Sequence, residues 1–177
     1  TQALDMVQQM MRNPGSVIYV RQQEPAGLGH AVWCARHLAQ SEPVAVLLAD
    51  DLILGTGCLS EMLLAYNSGN MVAVMDVPQN ETASYGIVTP GADDGHIVEV
   101  NGLVEKPSPS DAPSNIAVVG RYIIEPGVFT HLDRQEQGAG GEIQLTDSLA
   151  RQIGELPFSG LRFSGERFDC GSKIGFL

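Results

Sequence analysis

Apolar positions along this chain recur with two rhythms, and the rhythms predict its elements. Thr1–Arg12 has helical spacing and is closed by Asn13-Pro14-Gly15, a turn signal. Val17-Ile18-Tyr19-Val20 is a short, β-branched apolar run and predicts a strand. After a loop over Gln22–Gly29, the apolar residues Ala31, Val32, Ala35, Leu38 and Ala39 fall on one helical face until Pro43. Val44–Ala49 is apolar at every position. A strand without alternation is expected to be buried on both faces, as in a parallel sheet covered by helices. Cys58–Tyr66 reads as a helix and Met71–Val77 as the next strand, so strands and helices alternate in the α/β manner.

The middle of the chain changes character. Ser84–Val88, His96–Val100 and Leu103–Glu105 are short and separated by Pro, Gly and Asp, which predicts hairpins attached to the main sheet. Ile116–Ile124 reads as a long apolar strand, Glu142–Ile153 as an amphipathic helix and Leu161–Phe163 as a last short strand. The chain starts within a helical pattern and stops at Gly175-Phe176-Leu177 without a polar tail. The expectation is one domain over 1–177, cut at both ends from a larger one.

Composition narrows the function. With 44% hydrophobic and 18% charged residues, the 177-residue chain reads as a soluble globular domain. The longest apolar run, Val44–Ala49, is too short to span a bilayer, and Thr1–Arg12 is not a secretory signal, so a cytoplasmic protein is expected. A net charge of −11 argues against nucleic acid, whose binding relies on Lys and Arg neutralising phosphates. A small phosphorylated ligand remains compatible if a metal and a few placed cations offset the acid. Cys34, Cys58 and Cys170 form no CxxC pair, which fits reduced thiols better than a disulfide framework or zinc.

Four segments carry candidate chemistry. Asp50-Asp51 ends the apolar strand, where open α/β sheets bind ligands and where Mg2+ takes one or two carboxylates plus phosphate oxygens; it also reads as a solvated turn or helix cap. In QQEPAGLGHA (Gln22–Ala31), Gly27 and Gly29 admit close backbone approach to a flat ligand, and the Gln22 amide both donates and accepts; the same string also reads as an ordinary turn. Glu105-Lys106 sets a carboxylate suited to sugar hydroxyls beside a point charge suited to phosphate, or is an exposed pair on a hairpin. Asp169-Cys170-Gly171 offers a second carboxylate to a metal, or a turn.

Taken together and in order, these segments resemble the bacterial UTP–glucose-1-phosphate uridylyltransferases. That family carries a Gln followed by GLGHA, an apolar strand ending in Asp, then YG, VEKP, APSN-x-A-x-VGRY, GEIQLTD and DCG-x-K-x-G. The matches are Gln22, Gly27–Ala31, Asp50, Tyr85-Gly86, Val104–Pro107, Ala112–Tyr122, Gly141–Asp147 and Asp169–Gly175, from about Arg21 to the end. The resemblance implies a nucleotide-diphospho-sugar transferase fold: a mixed, mostly parallel central sheet with flanking helices and a small β-hairpin insertion, about 79–118, that holds the sugar. It implies in-line attack of glucose 1-phosphate on the α-phosphorus of UTP, giving UDP-glucose and pyrophosphate with no covalent intermediate. Gln22, Gly27 and Gly29 would bind the nucleotide. Asp50 would hold Mg2+, with Asp169 as second ligand. Gly86, Glu105, Asn115 and the backbone near Val118 would hold the sugar, and Lys106 its phosphate. Lys106 and Asp50 would be the catalytic pair, and the protein a dimer or tetramer. Glu142 and Asp147 match motifs without an assigned contact.

In one respect the chain departs from the pattern: the family's opening strand and Gly-rich loop, GxGTR followed by PxTKxxPKE, have no counterpart here. A segment lacking that loop is expected to be inactive by itself. Rival readings are a relative using dTTP or another sugar phosphate, a glycosyltransferase, and an inactive binding module. Asp50-Asp51-Leu52 is not the Asp-x-Asp of glycosyltransferases, and VEKP has no place in one.

Overall fold

Nine consecutive residues, Ile116–Ile124, form the strand on which the rest is arranged, and eight of them are buried. The computed structural model describes Leu4 and residues 13–171; apart from Leu4, the helix predicted over Thr1–Arg12 lies outside the described residues, as does the end of the last motif from Ser172. In chain order the elements are α1 (Leu28–Cys34), α2 (Arg36–Ala39), β1 (Val44–Leu47), β2 (Asp51–Gly55), α3 (Cys58–Ala65), β3 (Asn70–Asp76), β4 (Gly86–Asp93), β5 (Ile97–Glu105), β6 (Ile116–Ile124), α4 (Val128–Leu132), α5 (Leu145–Ala150), β7 (Phe158–Arg162) and β8 (Gly165–Asp169). Short 3-10 turns lie at Gln79–Ser84 and Ala139–Gly141.

Six strands make one sheet in the order β1-β6-β3-β7-β5-β4, and β2 pairs with β8 in a separate ribbon. The expected α/β sheet is present and mixed, but it is not mostly parallel in its pairings: among the described strands only β3–β7 pair parallel. The reason is β6. It lies between β1 and β3 and runs antiparallel to both, so those two strands share a direction without touching. The predicted hairpin is β4–β5, built into the sheet because β5 also pairs with β7 and β4 reaches β6 at Ile87–Ala117. The pairing path β6–β3–β7–β5–β4 therefore returns to β6.

Period-two alternation sorts the strands' side chains to the two sheet faces. Val72, Val74, Val118 and Ile124 join one core with Leu145 and Leu149 of α5 and Leu132 of α4. Met71, Ala73, Val119 and Ile123 point to the other face and meet Cys58 and Met62 of α3. Burial pushes the Cys58 thiol up to about 11.

Three further expectations change. Val44–Leu47 alternates between half-buried and exposed instead of being buried throughout, because β6 is its only strand neighbour among the described residues. Val17–Val20 forms no strand there, and Tyr19 is 94% exposed. The helix expected over Glu142–Ile153 is confined to α5, because Ile143 is drawn into extended pairing: its N–H donates to the Ala26 carbonyl (2.8 Å) and its carbonyl accepts from Gly29 N–H (2.8 Å). Among the described residues no helix is long and apolar enough to cross a membrane.

Candidate active site

A cleft of about 260 Å3 opens where the β1–β2 turn, the β4–β5 hairpin, β6 and β8 converge. The structure brings Asp50, Gly86, Glu105, Lys106, Val118 and Asp169 to its walls. Asn115 is exposed outside it, at the start of β6, where its carbonyl accepts from Val77 N–H (2.9 Å).

Asp50 and Asp51 have different surroundings. Asp51 opens β2 and is 6% exposed. One carboxylate oxygen accepts from Gly120 N–H (2.6 Å); the other accepts from Nε of Arg167 (2.6 Å) and pairs with its Nη2. Gly120 is required there, since a Cβ would stand 2.3 Å from the Asp51 carboxylate. Arg167 also donates to the Tyr85 hydroxyl (3.2 Å). Burial works against its charge, yet the Asp51 carboxylate outweighs it and holds Arg167 above its usual pKa. Tyr122 borders the same wall; burial first, then the carboxylates of Glu105 and Asp51, raise its phenol well above the ordinary range.

Asp50, by contrast, is exposed in the tight turn before β2, with its carbonyl accepting from Cys170 N–H (2.7 Å). That bond sets the turn beside the end of β8. A Cβ placed on Gly171 would lie 3.2 Å from Asp50 Oδ2 and 3.1 Å from Asp169 Oδ1, so the two carboxylates approach the same turn; Asp169 Oδ1 accepts from Gly171 N–H (2.9 Å) and its Oδ2 lies 3.6 Å from Arg167 Nη2. Two neighbouring carboxylates suit a hard cation that keeps most of its ligands for water and phosphate. Among the described residues no cluster of three or more His, Cys, Asp or Glu is placed to hold a metal.

Across the cleft, Gly86 faces Glu105 in register, and a Cβ on Gly86 would lie 3.2 Å from the Glu105 carboxylate. Lys106 adopts φ +46°, a conformation that few residues other than glycine take. This turns the chain at the end of β5, and the Lys106 N–H donates to the Tyr85 carbonyl (2.9 Å). The bend lets adjacent side chains serve one ligand: Glu105 lies low in the wall while Lys106 Nζ, 3.9 Å from it, stays half-exposed. Acidic groups outnumber basic ones around the cleft, and Arg167 pairs with Asp51 and Asp169, which among the described residues lining the cleft leaves Lys106 as the cation available to a phosphate.

Gln22, Gly27 and Gly29 do not line this cleft; they abut it through Leu28 and Glu142, which do. Both glycines are required by protein contacts. Their Cβ positions would fall 2.8 and 2.7 Å from the Ile143 carbonyl. Gln22 Nε2 folds back to donate to the Gly27 carbonyl (3.0 Å) and lies 3.0 Å from His30 Nδ1. Sequence reasoning missed Arg167, Gly120, Tyr122, Gln144 and Thr146 as cleft residues. The APSN-x-A-x-VGRY match contained the signal for Gly120 and Tyr122, and YG that for Tyr85; Arg167 belongs to no motif.

The nucleotidyl transferase family profile matches residues 2–165. The chain is 48% identical over 177 residues to a UTP–glucose-1-phosphate uridylyltransferase of Komagataeibacter xylinus, covering 98% of this chain and 62% of that protein. It is 43% identical over 168 residues to the one of Bacillus subtilis, covering 93% and 58%. Among solved structures, a UDP-glucose pyrophosphorylase complexed with UDP-glucose superposes with a TM-score of 0.85 at 38% identity, over 90% of this chain and 62% of that one. The UTP-bound enzyme of Acinetobacter baumannii gives 0.86 at 38% identity, over 99% and 62%. The mixed α/β fold is thus common to these proteins, and the chain spans about three fifths of the length of the relatives it matches.

Proposed function

The chain belongs to the nucleotidyl transferase family, and from that premise we propose that the whole protein transfers the uridylyl group of UTP to glucose 1-phosphate, giving UDP-glucose and pyrophosphate. The observation that carries the reading is one cleft with two halves: the Asp50–Asp169 pair beside Gly171 on one side, and the bent Glu105-Lys106 segment over Gly86 on the other.

The two halves divide the labour. Glu105, nearly buried and held in register with Gly86, accepts hydrogen bonds from glucose hydroxyls, aided by the backbone near Val118. Lys106 holds the phosphate of glucose 1-phosphate as a compact point charge and keeps its attacking oxygen in line with the α-phosphorus. As that P–O bond forms, the bond to the β-phosphate breaks, and pyrophosphate leaves with the electron pair. Asp50 and Asp169 would hold Mg2+, which when bound supplies positive charge to the triphosphate oxygens. Gln22, with Gly27 and Gly29 shaping its loop, faces the uracil. In the same reading the whole protein is a cytoplasmic dimer or tetramer, for which light scattering gives the number of subunits.

The test is pyrophosphate release by the full-length protein from UTP plus glucose 1-phosphate, with dTTP and with other sugar phosphates as the comparison arms. UTP and glucose 1-phosphate together are expected to give the fastest release, with UDP-glucose identified by mass. No release, or faster release with dTTP, would overturn the assignment.

A further inference from the structure

The turn that carries Asp50 is held from behind. It runs from Leu48 to Asp51, and its own closing bond, from Asp51 N–H to the Leu48 carbonyl, is long at 3.4 Å. Arg121 of β6 supplies the closure. Its Nη1 donates to the Leu48 carbonyl (3.1 Å) and to the Gly120 carbonyl (2.7 Å), and its Nη2 donates to the Asp51 carbonyl (2.5 Å). The fork thus spans the first and last residues of the turn and ties both to β6. A guanidinium can do this because its donors are fixed in one plane. Alternation along β6 puts Val118, Gly120 and Tyr122 on the cleft wall, while Val119 and Ile123 pack on the opposite face of the sheet. Arg121 therefore lies behind the turn and is not among the residues lining the cleft. Asp50 itself is located through its backbone, its carbonyl accepting from Cys170 N–H (2.7 Å), so the shape of the turn sets the direction of its exposed carboxylate.

We propose that Arg121 is a positioning residue: by bridging the Leu48 and Asp51 carbonyls it holds the turn in the shape that aims the Asp50 carboxylate toward a divalent cation on the nucleotide triphosphate. The inference rests on the reading that Asp50 serves that cation. It gives Arg121 a task separate from that of Arg167, which holds the same turn through the Asp51 carboxylate. Charge alone does not perform this task. A lysine at 121 would carry the same charge, but a single ammonium cannot span carbonyls at both ends of the turn in the way a planar fork does.

The experiment is calorimetric titration of the full-length protein with UTP, with and without Mn2+, the ratio of the two affinities being the readout. In the wild type Mn2+ is expected to strengthen UTP binding. In Arg121→Lys the ratio is expected to fall about tenfold, the scale of one lost polar contact, while UTP affinity without metal stays as it was. A merely structural role would weaken UTP equally with and without Mn2+ and leave the ratio unchanged, which overturns the inference. Asp50→Ala separates the inference from the reading beneath it. There the ratio should fall at least as far, and adding Arg121→Lys should lower it no further, since a residue acting through Asp50 has nothing left to act on. A further fall in the double variant overturns the inference alone. No Mn2+ effect in the wild type, or an unchanged ratio in Asp50→Ala, overturns the reading and the inference with it. Side-chain NMR of Arg121 in the wild type gives a check that stands even if Arg121→Lys does not fold: Nη hydrogens donated to three carbonyls are expected to give separate, slowly exchanging signals, and one averaged, rapidly exchanging signal rules the arrangement out.

Discussion

A carboxylate that already accepts from a backbone N–H and a guanidinium has little left for a ligand, and this separates Asp51 from Asp50. Removing one partner of a buried ion pair leaves the other unpaired, so Asp51→Ala is expected to cost about 3–5 kcal/mol of stability in urea unfolding. Asp50→Ala, at an exposed turn, should stay within about 0.5 kcal/mol. Activity should show the reverse emphasis. In the full-length protein Asp50→Ala is expected to lower kcat/KM by about two orders of magnitude, roughly 3 kcal/mol, measured at several Mg2+ concentrations. Lys106 separates strain from chemistry in the same way. At φ +46° a glycine is at ease, so Lys106→Gly should leave the melting temperature unchanged or raise it, relieving about 1 kcal/mol. Both Lys106→Gly and Lys106→Ala should raise KM for glucose 1-phosphate and lower kcat, and Lys106→Arg should rescue only in part, since a planar fork replaces a point charge. Unchanged kinetics in all three would reduce the Lys106–Glu105 contact to a surface pair.

At the scale of elements, β6 shows what a sequence discloses and what it withholds. Ile116–Ile124 was legible from end to end because nothing polar interrupts it before Gly120-Arg121. That it runs antiparallel between β1 and β3 was not, because direction is decided by partners distant in sequence. β2 and β8 were missed for a related reason. β2 carries only the short apolar run Leu52-Ile53-Leu54, most of it exposed, and β8 is largely polar; they form a ribbon by meeting each other, Asp51 opposite Asp169. The helix over Glu142–Ile153 was read too long since its apolar spacing is genuine but Ile143 is claimed by the glycine loop. In the candidate site, Asp50, Glu105 and Lys106 were recognisable as a family pattern, while the Asp51–Arg167 pair, far apart in sequence, left no local trace. Gly120→Ala tests how tightly β6 is built into this: the new methyl would press on Asp51 Oδ2 at 2.3 Å and on Leu48 Cβ at 2.7 Å, with an expected loss of about 1–3 kcal/mol in chemical denaturation.

For the molecule as a whole, acid should act through a few surface carboxylates. Hydrogen bonds from Arg162, then from Gly95 N–H, lower the Asp93 pKa; the backbone N–H groups of Ile97 and His96 lower Asp94; Arg151 lowers Glu136; and Ser164 and Thr56 lower Glu61. A group whose folded pKa lies below its unfolded value of about 4 adds stability above that value and loses it as pH falls through the folded pKa. Melting temperature should therefore drop as pH goes below about 4. Asp93→Asn should flatten that slope, and an unchanged slope would remove Arg162, which ties β7 to Asp76 of β3 and Asp93 of β4, as its source. Asp147 works the other way: burial raises its pKa, so its contribution is lost as pH rises through the folded value.

The return of the strand path to β6 rests on a single pairing, Ile87 with Ala117, while β3 holds β6 along nearly its whole length. Gly86 lies directly before that pairing, Val118 directly after it, and the cleft lies between them. The two jaws that would grip the sugar are thus hinged on one bridge. Breathing at that seam needs few broken bonds, whereas separating β3 from β6 would cost most of the sheet. Amide hydrogens on the β4 edge facing β6 should therefore exchange with deuterium orders of magnitude faster than those shared by β3 and β6, and slow down when a sugar nucleotide bridges the jaws. Among the described strands, this one-pair seam is where the sheet should loosen first.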